Sequence, residues 1–301
     1  MERRQALDPE VIDAYDLFIH GHIDRRSFLD RVKRVAISTA AAAAIVDQLM
    51  PNYAAAQRVS PQDGRISSER VTVPSPGGYG TIAGLLVRPH PRAGAVGPER
   101  MPAVLVVHEN RGLNPHIEDI ARRVAVGGSF MAFAPDTLTS VGGYPGDEEK
   151  AIAMFAKLDQ AKMMADLQAA AAWVKNRPES TGRLGVIGFC YGGGVANALA
   201  VRMGADLQAA VSFYGGAPPL SEVPKIKAAV QVHDGGDDKR LVDAWLAYRD
   251  ALHAAGVSFE GYVYPGAGRG FNNDSTPQRY NKAAADLAWS RSISCFIKSL
   301  T

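Results

Sequence analysis

The sequence predicts an α/β protein, a mostly parallel central sheet with helices on both faces in three layers. Three observations carry that expectation. From residue 67 onward, apolar runs of strand length alternate with longer segments whose apolar residues recur at helical spacing, the pattern of parallel strands joined by crossover helices. One of these runs, Ala103-Val104-Leu105-Val106-Val107, is apolar throughout, as a strand covered on both faces must be. At Leu184-Gly185-Val186-Ile187 a short buried strand runs into a helix through Gly188-Phe189-Cys190-Tyr191-Gly192-Gly193-Gly194. That G-x-C-x-G-G turn matches the geometry that lifts a nucleophile above a sheet, with cysteine in place of serine.

The first 66 residues differ from the rest. Residues 7–22 fit a short amphipathic helix, followed by Arg25-Arg26-Ser27-Phe28-Leu29, an alanine-rich apolar stretch over 35–46, and Ala54-Ala55-Ala56. Twin arginines, a mildly apolar segment and an A-x-A site resemble a twin-arginine export signal. Asp30, directly after Leu29, and Asp47, which closes that stretch, fit instead an alanine-rich helix packed on the domain. The expected division is therefore 1–66 as leader or helical extension and 67–301 as the main domain. The first reading implies the twin-arginine export machinery as a partner and a periplasmic or exported address; the second leaves the chain cytoplasmic.

In the main domain, residues 69–74 and 81–88 alternate as two strands joined by Ser75-Pro76-Gly77-Gly78. After the 103–107 strand, 115–126 reads as a helix with Asn114 as its cap and Pro115 in its first turn. A strand at 130–134, a long helix at 159–176 ended before Pro178, and the turn at Cys190 with its helix follow. Strands at 209–213, 228–232 and 259–264, a helix at 242–255 and a closing helix at 278–300 complete the chain. Functional groups on such a sheet gather at the carboxyl ends of the strands. That singles out His108-Glu109-Asn110-Arg111-Gly112, residues 233–239 and residues 265–271.

Composition narrows the function. A formal net charge of +2 with no basic stripe interleaved with aromatics argues against nucleic acid. The two cysteines, Cys190 and Cys295, make no disulfide framework. No C-x-x-C or H-E-x-x-H spacing suggests a metal. The glycine-rich turn lacks both the G-K-[ST] ending and the G-x-G-x-x-G spacing of nucleotide sites, so no cofactor is expected. No apolar run suits a stable membrane span. What remains is the chemistry of Cys190: a helix that starts at Tyr191 aims its first amides at the sulfur, which favours thiolate and can also hold an oxyanion.

At this turn and the three strand-end loops the chain resembles the dienelactone hydrolase family of the α/β-hydrolase fold, from about residue 69 to the C-terminus. It is especially similar to a subgroup with a twin-arginine-like leader and the phrases His108-Glu109-Asn110-Arg111-Gly112-Leu113, Gly188 to Gly194, and Tyr264-Pro265-Gly266 followed by Gly270-Phe271. The resemblance implies a Cys-His-Asp triad acting on small ester or lactone substrates. It puts the nucleophile on Cys190 and the acid on Asp238 within Gly236-Asp237-Asp238, with Asp237 a close rival. Glu109 falls where the family glutamate partners the resting cysteine, and the backbone N–H groups of Tyr191 and Asn110 would form the oxyanion hole.

The base does not carry across. Where the family places histidine, this chain reads Pro265-Gly266-Ala267-Gly268-Arg269-Gly270-Phe271. Arg269 stays protonated and accepts no proton from thiol or water. Three outcomes are open: Arg269 stabilises a standing thiolate, in a Cys190–Arg269–Asp238 array, while deacylation suffers; His108, Glu109 or His233 substitutes as base; or the chain is a binding protein on a degenerate hydrolase fold. Arg111 is a candidate for greeting a substrate carboxylate and Tyr144 for lining the pocket mouth. Arg122 and Arg123 read as solvated helix-face residues, and Trp173, Trp245 and Trp289 as core.

Overall fold

The structure, a computed structural model, describes residues 7–19, 22–36, 38–91 and 100–301. Its helices run α1 (Pro9–Ile19), α2 (Arg25–Val35), α3 (Thr39–Leu49), α4 (Tyr53–Ala56), α5 (Pro115–Gly128), α6 (Glu148–Phe155), α7 (Gln160–Lys175), α8 (Tyr191–Met203), α9 (Lys239–Ala254) and α10 (Lys282–Leu300). Strands β1 (Ile66–Ser75), β2 (Gly80–Pro89), β3 (Met101–Val107), β4 (Met131–Asp136), β5 (Ser180–Phe189), β6 (Ala209–Phe213), β7 (Ala229–Gly235) and β8 (Phe259–Tyr264) form one sheet, ordered β1-β2-β4-β3-β5-β6-β7-β8. β1 and β2 pair antiparallel and β2 lies antiparallel to β4; the pairings from β4 through β3 to β8 are parallel. This is the mostly parallel, two-faced sheet that the alternation of strands and helices predicted, in the α/β-hydrolase arrangement that the family resemblance implied.

Each central strand feeds two cores. In β3, Val104 and Val106 enter one while Ala103, Leu105 and Val107 enter the other; in β5, Ile187 and Phe189 oppose Leu184 and Val186. Both sets must be covered, which is why these strands read as unbroken apolar runs. α5 and α10 cover the first face, and α7, α8 and α9 the second. Trp245 is buried in the second core and Trp173 packs on Phe133, ring centroids 5.1 Å apart. The closing helix begins four residues later than expected, because the Asn281 side chain caps it by accepting from the Ala284 N–H at 3.1 Å. α6 went unforeseen: it is 8 residues long, too short to display a helical period.

The described part of the N-terminal segment is a helical unit docked on the main domain. Val11, Ala14, Tyr15, Ile19, Phe28, Val32, Ala42 and Leu49 bury against one another, with Ile152 of α6 packed on them. Arg25 and Arg26 open α2, whose cap Asp24 accepts from the Ser27 N–H at 2.7 Å, and Arg25 reaches Glu149 at 2.9 Å. No helix among the described residues is long and apolar enough to cross a membrane.

The docking is polar and buried, and it corrects the reading of Arg122 and Arg123 as solvated. Arg122 Nε donates to the Val59 carbonyl at 2.8 Å, and Arg123 Nη2 donates to the Ala56 carbonyl at 3.1 Å and pairs with Asp274 at 2.9 Å. Asp119 accepts from the backbone N–H groups of Arg58 (3.0 Å) and Val59 (2.9 Å) and from Arg123 Nε (2.8 Å). Arg58 Nε in turn meets Asp274 at 2.7 Å, and the Asn52 N–H donates to the Ser275 carbonyl at 2.7 Å. Asp119→Ala would leave two backbone amides and a buried guanidinium without this acceptor. The expected loss is about 3 kcal/mol, read as a lowered urea midpoint, and a midpoint within error of the wild type would contradict this account of the docking.

Candidate active site

Cys190 sits between β5 and α8 at φ 55°, ψ −109°, a backbone conformation that L-residues rarely adopt. Its own N–H donates to the Phe213 carbonyl on the neighbouring strand at 3.0 Å, which fixes the turn to the sheet. A Cβ on Gly188 would fall onto the Gly192 carbonyl, one on Gly192 onto the Val107 carbonyl, and one on Gly193 onto the Phe213 carbonyl. The glycines are thus required by close approach of backbone to backbone, from β3 on one side and β6 on the other. Tyr191 opens α8, so its N–H has no acceptor within the helix.

A cavity of ≈ 520 Å³ opens over the sulfur, lined by Cys190, Tyr191, Asn110, Ile152, Phe155 and Arg269 among others. Arg269 Nη2 donates to Cys190 Sγ at 3.4 Å. Burial works against the Arg269 cation, but Cys190, Asp16 and Asp238 outweigh it and raise its pKa. The guanidinium therefore points at the thiol. Asp238 does not complete the array as expected. Its carboxylate caps α9 by accepting from the Leu241 N–H at 3.1 Å, and among the described residues no ion pair joins it to Arg269. It acts on Arg269 as a nearby charge. The rival Asp237 is more exposed, its N–H donating to the Ala267 carbonyl at 3.1 Å. Both aspartates and Arg269 line a second cavity of ≈ 740 Å³, which Asp16, His22, Arg279 and Tyr280 share.

The remaining candidates divide. Asn110 lines the Cys190 cavity, with its side-chain amide donating to the Ile19 carbonyl of α1 at 2.6 Å. Glu109 is buried and pairs with Arg111 at 3.2 Å. Arg111 is not among the residues lining the cavity: its guanidinium also meets Glu148 at 3.2 Å, so it locks the loop instead of greeting a substrate. Tyr144 likewise stands off, its hydroxyl donating to Glu148 at 2.8 Å and its N–H to Asp136 at 3.0 Å. His108 is enclosed by the Glu109 carbonyl and the Thr137 N–H, 3.1 Å from Nε2, and burial lowers its pKa. His233 contacts Tyr264 (2.8 Å), Gln231 (2.9 Å) and Ser292 (3.2 Å). Burial, aided by the charge of Arg291, brings its pKa down to about 3. Neither histidine is free to serve Cys190. Cys295 is remote from this cavity on α10, its thiol pushed up by burial to about 11.

Two residues near the site carried no sequence signal. Tyr214 follows β6 with φ 39°, is fully buried, and has its pKa raised first by burial and then by Glu109 and Cys190. Asp234, at the end of β7, is 2% exposed, with one carboxylate oxygen buried and lacking a hydrogen-bond partner among the described residues. Burial, then the charge of Asp238, raises its pKa from 3.8 to about 7, against the opposing pull of Arg269. The folded state thus holds a proton that the unfolded chain releases, and stability falls as pH rises from about 4 through 7. Asp234→Asn should be more stable than the wild type at pH 8 by up to roughly 4 kcal/mol, with the gap closing toward pH 4. Denaturant titrations at both pH values check this, and a gap independent of pH would refute it.

The comparisons with known proteins bear on the family and the fold. The model of the "Dienelactone hydrolase family" matches residues 89–300, and a "YqhI-like" model matches residues 1–35. A Salmonella typhimurium protein provisionally named a carboxymethylenebutenolidase is 32% identical over 249 residues, covering 78% of this chain and 88% of its own. A Klebsiella pneumoniae structure, provisionally a dienelactone hydrolase, superposes with a TM-score of 0.66 at 28% identity, covering 77% of this chain and 98% of its own. The dienelactone hydrolase-like promiscuous phosphotriesterase P91, from metagenomic libraries, superposes with a TM-score of 0.63 at 26% identity, covering 78% and 99%. With its sheet order, its strained turn and a family match over most of its length, the chain belongs to the dienelactone hydrolase family.

Proposed function

We propose that the chain cleaves an ester or lactone bond of a small molecule by forming an acyl thioester on Cys190, with Arg269 holding the sulfur as thiolate. The observation that carries this reading is the hydrogen bond from Arg269 Nη2 to Cys190 Sγ at 3.4 Å, at the position where the family has its histidine. A cation beside a thiol favours the ionised form, and a thiolate needs no base in order to attack a carbonyl carbon. The negative charge that develops on the carbonyl oxygen is met by the Tyr191 and Asn110 amides, whose residues line the same cavity. Collapse expels the alkoxide, which takes a proton from water; in a lactone that alkoxide stays tethered to the acyl group. Relatives named for a butenolide, an unsaturated lactone, support the lactone side of this reading.

Arg269 cannot assist the second half of the reaction, since its guanidinium is already protonated and accepts no proton from water. Hydrolysis of the thioester then depends on a base from elsewhere, a contribution worth roughly a hundred- to ten-thousand-fold. Where none acts, the chain stops as an acylated protein, and the alternative reading, a binding protein on this fold, takes over. The twin arginines remain a proposed export address, to be checked by fractionating cells that express the chain with Arg25 and Arg26 changed to Lys.

Rapid mixing with an activated aryl ester tests the thiolate. The wild type should release one equivalent of product in a burst that Cys190→Ala abolishes. Arg269→Leu should slow that burst about 10-fold or more at neutral pH, with recovery at high pH where the thiol ionises unaided. A burst that survives in Cys190→Ala, or one indifferent to Arg269→Leu at every pH, would sink the reading.

A further inference from the structure

The cavity over Cys190 does not end above the sulfur. A further cavity of ≈ 720 Å³ shares Gln160, Met164 and Tyr191 with it. The same three elements wall both. Along α8, Gly194 and Val195 line the first cavity and Ala198, Val201 and Arg202 line the second, at the spacing of one helix face. At the start of α7, Gln160 and Met164 border both cavities and Ala161 borders the second. The loop after β6 gives Gly216 to the first, and Pro218 and Pro219 to the second. Together they make one trough that leads away from the sulfur between α7 and α8.

Tyr191 is part of the floor of this trough, not a partition across it. Its ring packs edge-on against Phe155 at 4.8 Å, and its hydroxyl is buried, so the side chain turns inward. Met164, Val195, Val201 and Pro218 give the trough apolar sides. Alanines at 161 and 198 keep it open, where larger side chains would fill it. Charged side chains stand at its two ends. Arg269 lies beside the sulfur, and the exposed Arg202 and Lys225 lie at the far end with Glu222, which pairs with Lys225. From Val195 to Arg202 the helix rises by about 10 Å.

The two sides of the sulfur suit the two halves of an ester. On the Arg269 side lies the ≈ 740 Å³ cavity, rich in charge from Asp237, Asp238, Lys239 and Arg240. A departing alkoxide is better accommodated there, and hydrocarbon on the opposite side. We propose that the acyl half of the substrate is an extended hydrocarbon chain, laid from Cys190 past Tyr191 and Met164 toward Val201. Ala161 and Ala198 set the room that this chain finds. The proposal rests on the acyl-cysteine reading above and names its substrate class: esters of medium-chain carboxylic acids. Each methylene laid in the trough raises the efficiency of acylation, up to about fourfold where it is fully withdrawn from water.

The test uses the full chain with p-nitrophenyl acetate and p-nitrophenyl octanoate, the latter below its micelle concentration. The concentration dependence of the burst gives an acylation efficiency for each ester, which is divided by that ester's rate with hydroxide. The wild type should favour octanoate by about 10-fold or more. Ala161→Trp and Ala198→Trp fill the trough from opposite walls, and in each the ratio should fall to near one. Taking the ratio within one variant cancels any change at the nucleophile, and Ala161 is exposed, so a tryptophan there leaves the core untouched. A preference for octanoate that persists in both variants would overturn the proposal. So would a wild type that bursts with acetate and is indifferent to chain length, while the acyl-cysteine reading would stand. Absence of a burst with either ester would remove that reading and the substrate class with it.

Discussion

Everything at this site depends on how closely main chain can approach main chain. Gly188 and Gly192 must nearly touch each other, Gly192 must lie on the end of β3, and Gly193 must lie on the end of β6. One side chain at any of these positions would push α8 away from the sheet, and Cys190 would relax out of its positive φ. The strain at Cys190 is sustained because the neighbouring strands clamp the turn from both sides, with the Phe213 carbonyl holding the Cys190 N–H. From that clamp follows the position of Cys190 at the end of β5, above the sheet.

On this frame the charge pattern differs from a hydrogen-bonded triad. An Asp-His-Cys relay moves a proton at each step, whereas a guanidinium contributes only a fixed field. Here the field is shared out: Arg269 faces Cys190, Asp238 is occupied as the cap of α9, and Asp234 nearby has its pKa raised by burial to about 7. Glu109 is balanced by Arg111, and Arg111 by Glu148. The arrangement suits a permanently charged nucleophile and leaves proton transfer to whatever borders the cavity.

The sheet and the turn were legible in the sequence because burial on two faces and backbone contact both leave compositional marks: unbroken runs such as 103–107, and glycines around Cys190. The place of Arg269 was legible from motif spacing. Less could be read where one residue answers to a distant partner. Arg111 has the same appearance in sequence whether it meets a substrate or Glu148, and Arg122 and Arg123 look solvated until Val59 and Ala56 are seen above them. Asp238 followed the same rule, since the residue before a helix can either cap it or face the site, and here it caps. Nothing local marked Asp234 or Tyr214, whose burial is created by elements far along the chain.

The docking of the N-terminal helices also sets an order of events during synthesis. Arg58 waits for Asp274, Asp16 for Arg279, and the Asn52 amide for the Ser275 carbonyl, each more than 200 residues downstream. The N-terminal helices are thus made early but dock late. Until the C-terminal quarter has emerged and folded, the wall containing Asp16 and His22 has nothing to close against, and a nascent or truncated chain would present Cys190 without it. Contacts of such long sequence separation form late. Cys190 receives its full surroundings only once the chain out to Arg279 has been made and folded.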